Sequence, residues 1–299
     1  MRRRPTAPPW RAIVEAALRA AGAAVRRLTP AAGQRVVAGR EAGYRVWDPD
    51  VIAVDTAAER AALQVLRRAG VRGLCLSEEA GETPLDGRPR SRPGGPSAPV
   101  YVIMDPFDGS MLYRRGIRAH WFTALGIYGQ DGTPRAAGLT DHVTGEVVLA
   151  DAAGTRRRLR PRAPALRVRP SRTTTVDGAF LEAYLMKPAF LYPTATALRP
   201  LFERAKFVLG NGGPGGFADV ACGRIDVYLA WQEALTEVFS AVYLAERAGA
   251  IVTHWDGAPL RFRPDIHALY SLVCSANERL HADVLRALEG VTPPKGLAP

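Results

Sequence analysis

The chain is poor in several things that would mark familiar classes. Cysteine is scarce: Cys75, Cys222 and Cys274 are far apart and odd in number. That argues against a disulfide framework and suggests small apolar thiols in a reducing compartment. Five histidines are dispersed, none beside a cysteine at ligand spacing, so nothing supports a zinc site. No apolar run approaches the ~20 residues that span a bilayer, so no membrane partner is expected. The opening MRRRPTAPPW is basic, but Glu15 and Arg19 interrupt the apolar residues after it, which argues against a signal peptide. The expected location is cytoplasmic. Lysine is almost missing: of 40 basic residues only Lys187, Lys206 and Lys295 are lysines.

What is present is an ordinary globular composition. The chain has 299 residues, 47% of them hydrophobic and 23% charged, enough for a sizeable core. The net charge of +11 would attract polyanions. Its densest stretch, TRRRLRPRAPALRVRP (155–170), holds three prolines and no aromatic residue, so an arginine-rich surface is favoured over a nucleic-acid partner.

Apolar spacing from Trp10 to Leu28 predicts an amphipathic helix. GYRVWDPDVIAVD (43–55) reads as a loop. A helix over 57–69 is expected, opened by a Thr56/Glu59 capping box and closed at Gly70. VRGLCLS (71–77), VYVIM (100–104) and FTALGIY (122–128) read as strands, and Pro, Gly and Arg make 81–99 a long loop. A hairpin is expected over 136–151, turning at Thr144-Gly145. The basic 155–170 segment is the best boundary between an N-terminal half, 1–155, and a C-terminal half, 165–299. The second half alternates: strand 205–210, the NGGPGG turn, a helical segment 217–223, strand 225–230, helix 234–249, strands 250–255 and 269–275, and a closing helix 277–289. The mixture predicts an α/β (α+β) fold.

Carboxylates recur at element ends: Asp55, Glu78-Glu79, Asp105 with Asp108, and Glu237. Asp105 and Asp108 flank the turn in DPFDGS (105–110), so both can converge on one point. Hard oxygen donors in that number suit Mg2+ together with a phosphate. If a helix begins after Asp108, the Gly109 and Ser110 amides face the same point and can hold a phosphate. Taken alone, the same hexapeptide also fits a capped turn. Arg114, Arg115 and Arg118 lie just beyond it, as substrate contacts or as a solvated face; His120, Trp121 and Asp219 carry the same two readings.

The chain resembles the inositol monophosphatase-like family of Mg2+-dependent, lithium-sensitive phosphatases. The resemblance rests on D-P-F-D-G-S at 105–110, S-E-E-A-G at 77–81, Asp55 with Glu59, Val220-Ala221-x-Gly223-x-x-Asp226, and TEVFSAVYLAERAGA leading into IVTHWDG. It looks most like the archaeal-type inositol-1-phosphate/fructose-1,6-bisphosphate phosphatases. It implies a layered αβαβα sandwich, a homodimer, and Mg2+-dependent hydrolysis of a small phosphorylated substrate such as inositol monophosphate or fructose 1,6-bisphosphate. Glu78, Asp105, Asp108, the Phe107 carbonyl and Glu237 would be metal ligands, Asp105 bridging two ions. Ser110 and Asp55 would orient and deprotonate water, and Gly109 and Ser110 would bind phosphate. The chain departs from the family pattern at Ile52, Leu112, Ala230, Thr236 and Glu237. The departures at Ile52, Leu112 and Glu237 motivate one alternative, a non-catalytic ligand- or partner-binding member; a 3′(2′),5′-bisphosphate nucleotidase is another.

Overall fold

The computed structural model describes residues 9–39, 49–86, 99–160 and 162–291. Helix α1 (Trp10–Arg27) and the short α2 (Pro30–Gly33) lead to an antiparallel pair, β1 (Val36–Gly39) and β2 (Asp50–Ile52), and then to α3 (Ala53–Arg68). Next come β3 (Gly73–Ser77), β4 (Gly81–Pro84), β5 (Val100–Asp108), α4 (Ser110–Arg114), β6 (Phe122–Gly129), β7 (Pro134–Asp141), β8 (Val147–Asp151), β9 (Gly154–Arg158) and β10 (Leu166–Arg167). These strands form one sheet in the order β10-β9-β8-β7-β6-β5-β3-β4, with β3 and β5 parallel. The chain continues through β11 (Phe180–Ala183), α5 (Pro188–Ala197), α6 (Arg199–Phe202), β12 (Phe207–Leu209), α7 (Pro214–Ala221) and β13 (Val227–Ala234). It ends with α8 (Leu235–Phe239), α9 (Val242–Ala248), β14 (Ile251–His254), β15 (Leu269–Ser275) and α10 (Glu278–Ala287). The second sheet runs β12-β11-β13-β15-β14.

Side-chain alternation along the strands sorts these elements into five layers. In the first sheet Val102, Met104, Leu125 and Ile127 face α1 and α3, against Val14, Leu18, Ala62 and Leu66. Their neighbours Ile103, Ala124 and Tyr128 face the other way and pack with Phe217, Val238, Phe239 and Leu244 of α7, α8 and α9. The same middle layer takes Tyr228, Ala230, Leu272 and Cys274 from the second sheet. Val227, Leu229 and Trp231 point to the far side and meet Phe190, Leu201, Leu280 and Val284 of α5, α6 and α10. The order helix, sheet, helix, sheet, helix is the αβαβα sandwich expected. Both sheets are covered on both faces, which explains why β6 is buried along its whole length.

Several local expectations need correction. Helix α3 begins at Ala53, so Thr56 lies inside it and the Thr56/Glu59 box does not form. Asp55 takes the cap instead: its Oδ2 accepts from Ile52 N at 2.8 Å. Glu59 is buried and accepts from Ser77 Oγ and, at 3.0 Å, from Ala80 N. Part of the expected loop at 43–55 is β2 and the start of α3, while 40–48 lies outside the described residues. Of the expected loop at 81–99, the start pairs as β4, and 87–98 lies outside them. Helix 234–249 breaks at Ser240-Ala241 into α8 and α9. The basic stretch after Asp151 continues the first sheet as β9 and β10, because its side chains find partners there: Thr155 Oγ1 donates to Leu244 O at 2.8 Å and Arg158 pairs with Glu15.

Candidate active site

The hexapeptide at 105–110 is shaped by a bulge. Asp105 pairs with Ala124 and Asp108 with Phe122, so the β5 side carries one residue more than β6. Residues three apart on a regular strand point to opposite faces. The extra residue lets two aspartates at that spacing turn the same way. The turn closes at Gly109, with φ 97°. A Cβ there would meet the His120 carbonyl oxygen at 2.1 Å, so only glycine fits. Helix α4 starts immediately afterwards, and its first amides have no acceptor inside the helix.

Beneath the turn, Phe107 and Tyr113 pack with Ile52, Val54 and Ala58. Ile52, the departure from the family pattern, is fully buried there. His142 stacks on Phe107 with ring centroids 5.5 Å apart, and its Nε2 lies 2.8 Å from Thr123 Oγ1. Thr123 in turn donates to Pro106 O at 2.6 Å, so the imidazole is the donor to the threonine. Burial lowers the His142 pKa to about 4, which keeps the ring neutral.

Ser110 Oγ is 2.7 Å from Asp55 Oδ1 and 3.1 Å from the Phe107 carbonyl. Both neighbours are acceptors and the hydroxyl has one proton, so the shorter, charge-assisted bond to Asp55 takes it. The serine lone pairs remain able to accept. Helix α3 thus offers Asp55 to Ser110 and, one turn on, Glu59 to Ser77.

A cavity of about 260 Å³ opens over this turn, lined by Asp108, Gly109, Ser110 and Glu237. Glu237 occupies the third position of α8 and its Oε2 accepts from Ala234 N at 3.2 Å. The opposite wall comes from the second sheet and was not foreseen. Asn211 lines it and donates through Nδ2 to Glu182 Oε1 at 2.8 Å. Burial drives the Glu182 pKa well above the usual carboxylate range, with Asp219, Glu233 and Asp108 adding repulsion against the Asn211 bond. Glu233 accepts from Tyr228 OH and, at 3.3 Å, from Gly213 N. Gln232 and His120 both line the cavity at positive φ, 54° and 53°. For residues with a side chain that strain is the kind held at functional sites. Of this wall's polar side chains the sequence marked only Asn211, as the start of the NGGPGG turn. Ala230, one of the departures from the family pattern, is buried in the middle layer.

The remaining candidates are divided between this cavity and its surroundings. Glu78 N donates to Met104 O at 3.2 Å, which sets Glu78 beside Asp105 on adjacent strands. Asp105 is only 1% exposed. Glu78 and Glu79 face a separate hollow with Glu82, Asp265 and His267 rather than the main cavity. Among the described residues no three His, Cys, Asp or Glu side chains are gathered where they could hold an ion. The donors are nonetheless all oxygens, Glu78 and Asp105 lie on adjacent strands, β3 and β5, and Asp105 is a carboxylate buried deeply enough to favour a positive charge beside it. By donor chemistry and strand position they fit Mg2+. Arg115 and His120 line the cavity, whereas Arg114 pairs with Asp50 at 2.7 Å and Asp219 with Arg224 at 2.9 Å. Trp121 packs against Phe107 and Tyr113.

Comparison with solved structures gives the same fold. An inositol monophosphatase from Anabaena (Nostoc) is 24% identical with TM-score 0.71, over 95% of this chain and 96% of that one. The extragenic suppressor protein suhB of Bartonella henselae is 19% identical with TM-score 0.74, over 93% and 97%. Mycobacterium tuberculosis SuhB is 22% identical with TM-score 0.69, over 95% and 97%. A search of curated proteins found no match. The sequence profile of the inositol monophosphatase family matches residues 8–292, nearly the whole chain, and the chain belongs to that family.

Proposed function

We propose that this protein is a Mg2+-dependent phosphomonoesterase acting on a small phosphorylated substrate by attack of water. The observation that carries the reading is the 2.7 Å bond from Ser110 Oγ to Asp55 Oδ1 at the wall of the cavity. Asp55 is fixed by the Ile52 amide at 2.8 Å, so its other oxygen stays aimed at Ser110. Ser110 Oγ accepts a proton from a bound water as its own proton passes to Asp55. The hydroxide left behind then attacks phosphorus in line with the P–O bond to the substrate's alcohol; that bond breaks, and the departing alkoxide takes its proton from a solvent water. Amides at Gly109 and Ser110 hold phosphate oxygens. Mg2+ held by Glu78, Asp105, Asp108, Glu237 and the Phe107 carbonyl would lower the pKa of water and offset phosphoryl charge.

The family resemblance makes inositol monophosphate and fructose 1,6-bisphosphate the first substrates to try. It also supports a homodimer, and the three free thiols of Cys75, Cys222 and Cys274 fit a cytoplasmic setting. Among the described residues no helix is long and apolar enough to cross a membrane. A second reading, ligand binding without turnover, is favoured by one observation: Glu237 Oε2 is turned onto the Ala234 amide. Phosphate release from inositol 1-phosphate, fructose 1,6-bisphosphate and adenosine 3′,5′-bisphosphate, each with Mg2+ and with EDTA, separates the two. Mg2+-dependent release from any of them supports hydrolysis, and folded protein inert on all three supports binding alone.

A further inference from the structure

The main cavity has an apolar lining of Met111, Leu112, Tyr184, Met186 and Phe190, with the charged Arg115 and Lys187 beside it. Two elements supply it: α4, which begins at the phosphate turn, and the segment running from β11 into α5. The aromatic part is set in place. Phe190 is 3% exposed and packs edge-on against Tyr184 and Trp231, with centroids 4.9 and 5.6 Å apart. The methionines are not. Met111 and Met186 are 48% and 43% exposed, large apolar side chains left half in water at the mouth of a concave site. Methionine adapts its shape and its sulfur contacts ring edges favourably, which suits it to closing over an apolar ligand. The same cavity carries polar groups at Asp108, Ser110, Asn211 and Glu237. The cavity is therefore amphipathic.

We infer that the preferred substrate is a phosphomonoester whose alcohol carries a ring-sized apolar body, with Leu112 and Met186 determining specificity. The inference rests on the phosphomonoesterase reading and narrows its substrate. Phosphate sits at the turn of 105–110, and the body of the alcohol lies along Leu112, between the two methionines and against Tyr184 and Phe190. A polyol hydroxylated at every carbon would turn some hydroxyls toward Leu112, Phe190 and the two methionines, which offer little to hydrogen-bond with in place of the water lost. An apolar body loses nothing there and removes the exposed methionine surface from water.

Benzyl phosphate and inositol 1-phosphate test this fairly, because both release an alkyl alcohol. Turnover on both is compared with binding of benzylphosphonate and methylphosphonate, which cannot be hydrolysed, measured by calorimetry. The expected results are a kcat/KM for benzyl phosphate at least tenfold above that for inositol 1-phosphate, and benzylphosphonate binding at least tenfold tighter than methylphosphonate. Leu112→Asn and Met186→Gln should each shrink both ratios severalfold; Met186 is exposed enough that the second variant folds, which thermal melting checks. Equal phosphonate affinities, or ratios unchanged in both variants, would overturn the inference. No phosphate release from either ester, with the phosphonate ratio intact, would instead defeat the hydrolase reading and leave the apolar pocket standing.

Discussion

The wall of the cavity that comes from the first sheet and the wall that comes from the second hold their acids differently. On the first, each polar group is tied to a rigid neighbour: Asp55 to the Ile52 amide, Ser110 to Asp55, Pro106 to Thr123, and Thr123 to a neutral His142. Gly109 is locked against backbone. On the second, the short tethers run from side chain to side chain, Asn211 to Glu182 and Tyr228 to Glu233, and the one backbone contact to these two acids, from the Gly213 amide to Glu233, is longer at 3.3 Å. Gly213 there approaches Asp108 through a carboxylate oxygen, at 3.1 Å for an added Cβ, rather than through backbone. On the first wall each chain of tethers ends on backbone within one step, at Ile52 N or Pro106 O, and that preserves one geometry. Side-chain networks of like-charged acids can be redistributed by a change in protonation or by a ligand. The first wall therefore suits invariant chemistry on phosphate, and the second suits adjustment to the rest of the substrate.

Substitutions can break that contrast, the largest effect coming from the chemistry. Ser110→Ala removes the proton path to Asp55 and should lower kcat by about 10²–10³-fold with KM little changed, read from initial rates. Next is Gly109→Ala, which combines a positive φ with a backbone clash and should cost about 3 kcal/mol in denaturant unfolding. Gly213→Ala meets no backbone, only the Asp108 carboxylate, but its φ of 73° with ψ of −159° is a region all but closed to a side chain, and it should cost about 2 kcal/mol. Equal losses at the two glycines would erase the distinction between the walls.

The pH dependence of stability sharpens it further. His142 is neutral in the fold down to about pH 4, against an ordinary value of 6.5. Between those values the unfolded chain binds the extra proton, so stability rises with pH, and it is lost as pH falls below 6.5. The loss by pH 4 is about 3 kcal/mol, and His142→Gln should flatten it in urea titrations. Glu182 has the opposite sign. Its raised pKa means the fold holds a proton that the unfolded chain releases, so stability falls as pH rises from the ordinary carboxylate range through the folded value. Glu182→Gln keeps the Asn211 contact possible and should remove that decline, read as a smaller fall in melting temperature than wild type shows as pH rises from the ordinary carboxylate range.

Legibility in the sequence divides along the same line. DPFDGS, the acid at 55 and the pair at 78–79 were readable because each lies in one short segment with its own turn chemistry, Pro106 and Gly109 included. The five layers were implied by the resemblance, and alternation along β5 and β13 carries them. The second wall was not readable. Glu182, Asn211 and Glu233 come from β11, the loop before α7 and β13, and meet only because those elements pack together. The capping box at Thr56 and Glu59 misled because local spacing cannot reveal that Glu59 is wanted in the core by Ser77. The break at Ser240-Ala241 is equally silent, since apolar periodicity runs straight through it.

The most direct test of the proposed chemistry is phosphate release as a function of Mg2+ concentration, measured on wild type and Asp105→Asn side by side. Asp105 is the carboxylate at the junction of β3 and β5, and its amide replacement keeps the shape while removing the charge. The account predicts saturable Mg2+ activation in wild type and a loss of about 10³-fold or more in the variant, with the same melting temperature to within a few degrees. Turnover by Asp105→Asn at the wild-type rate and the same Mg2+ requirement would contradict it.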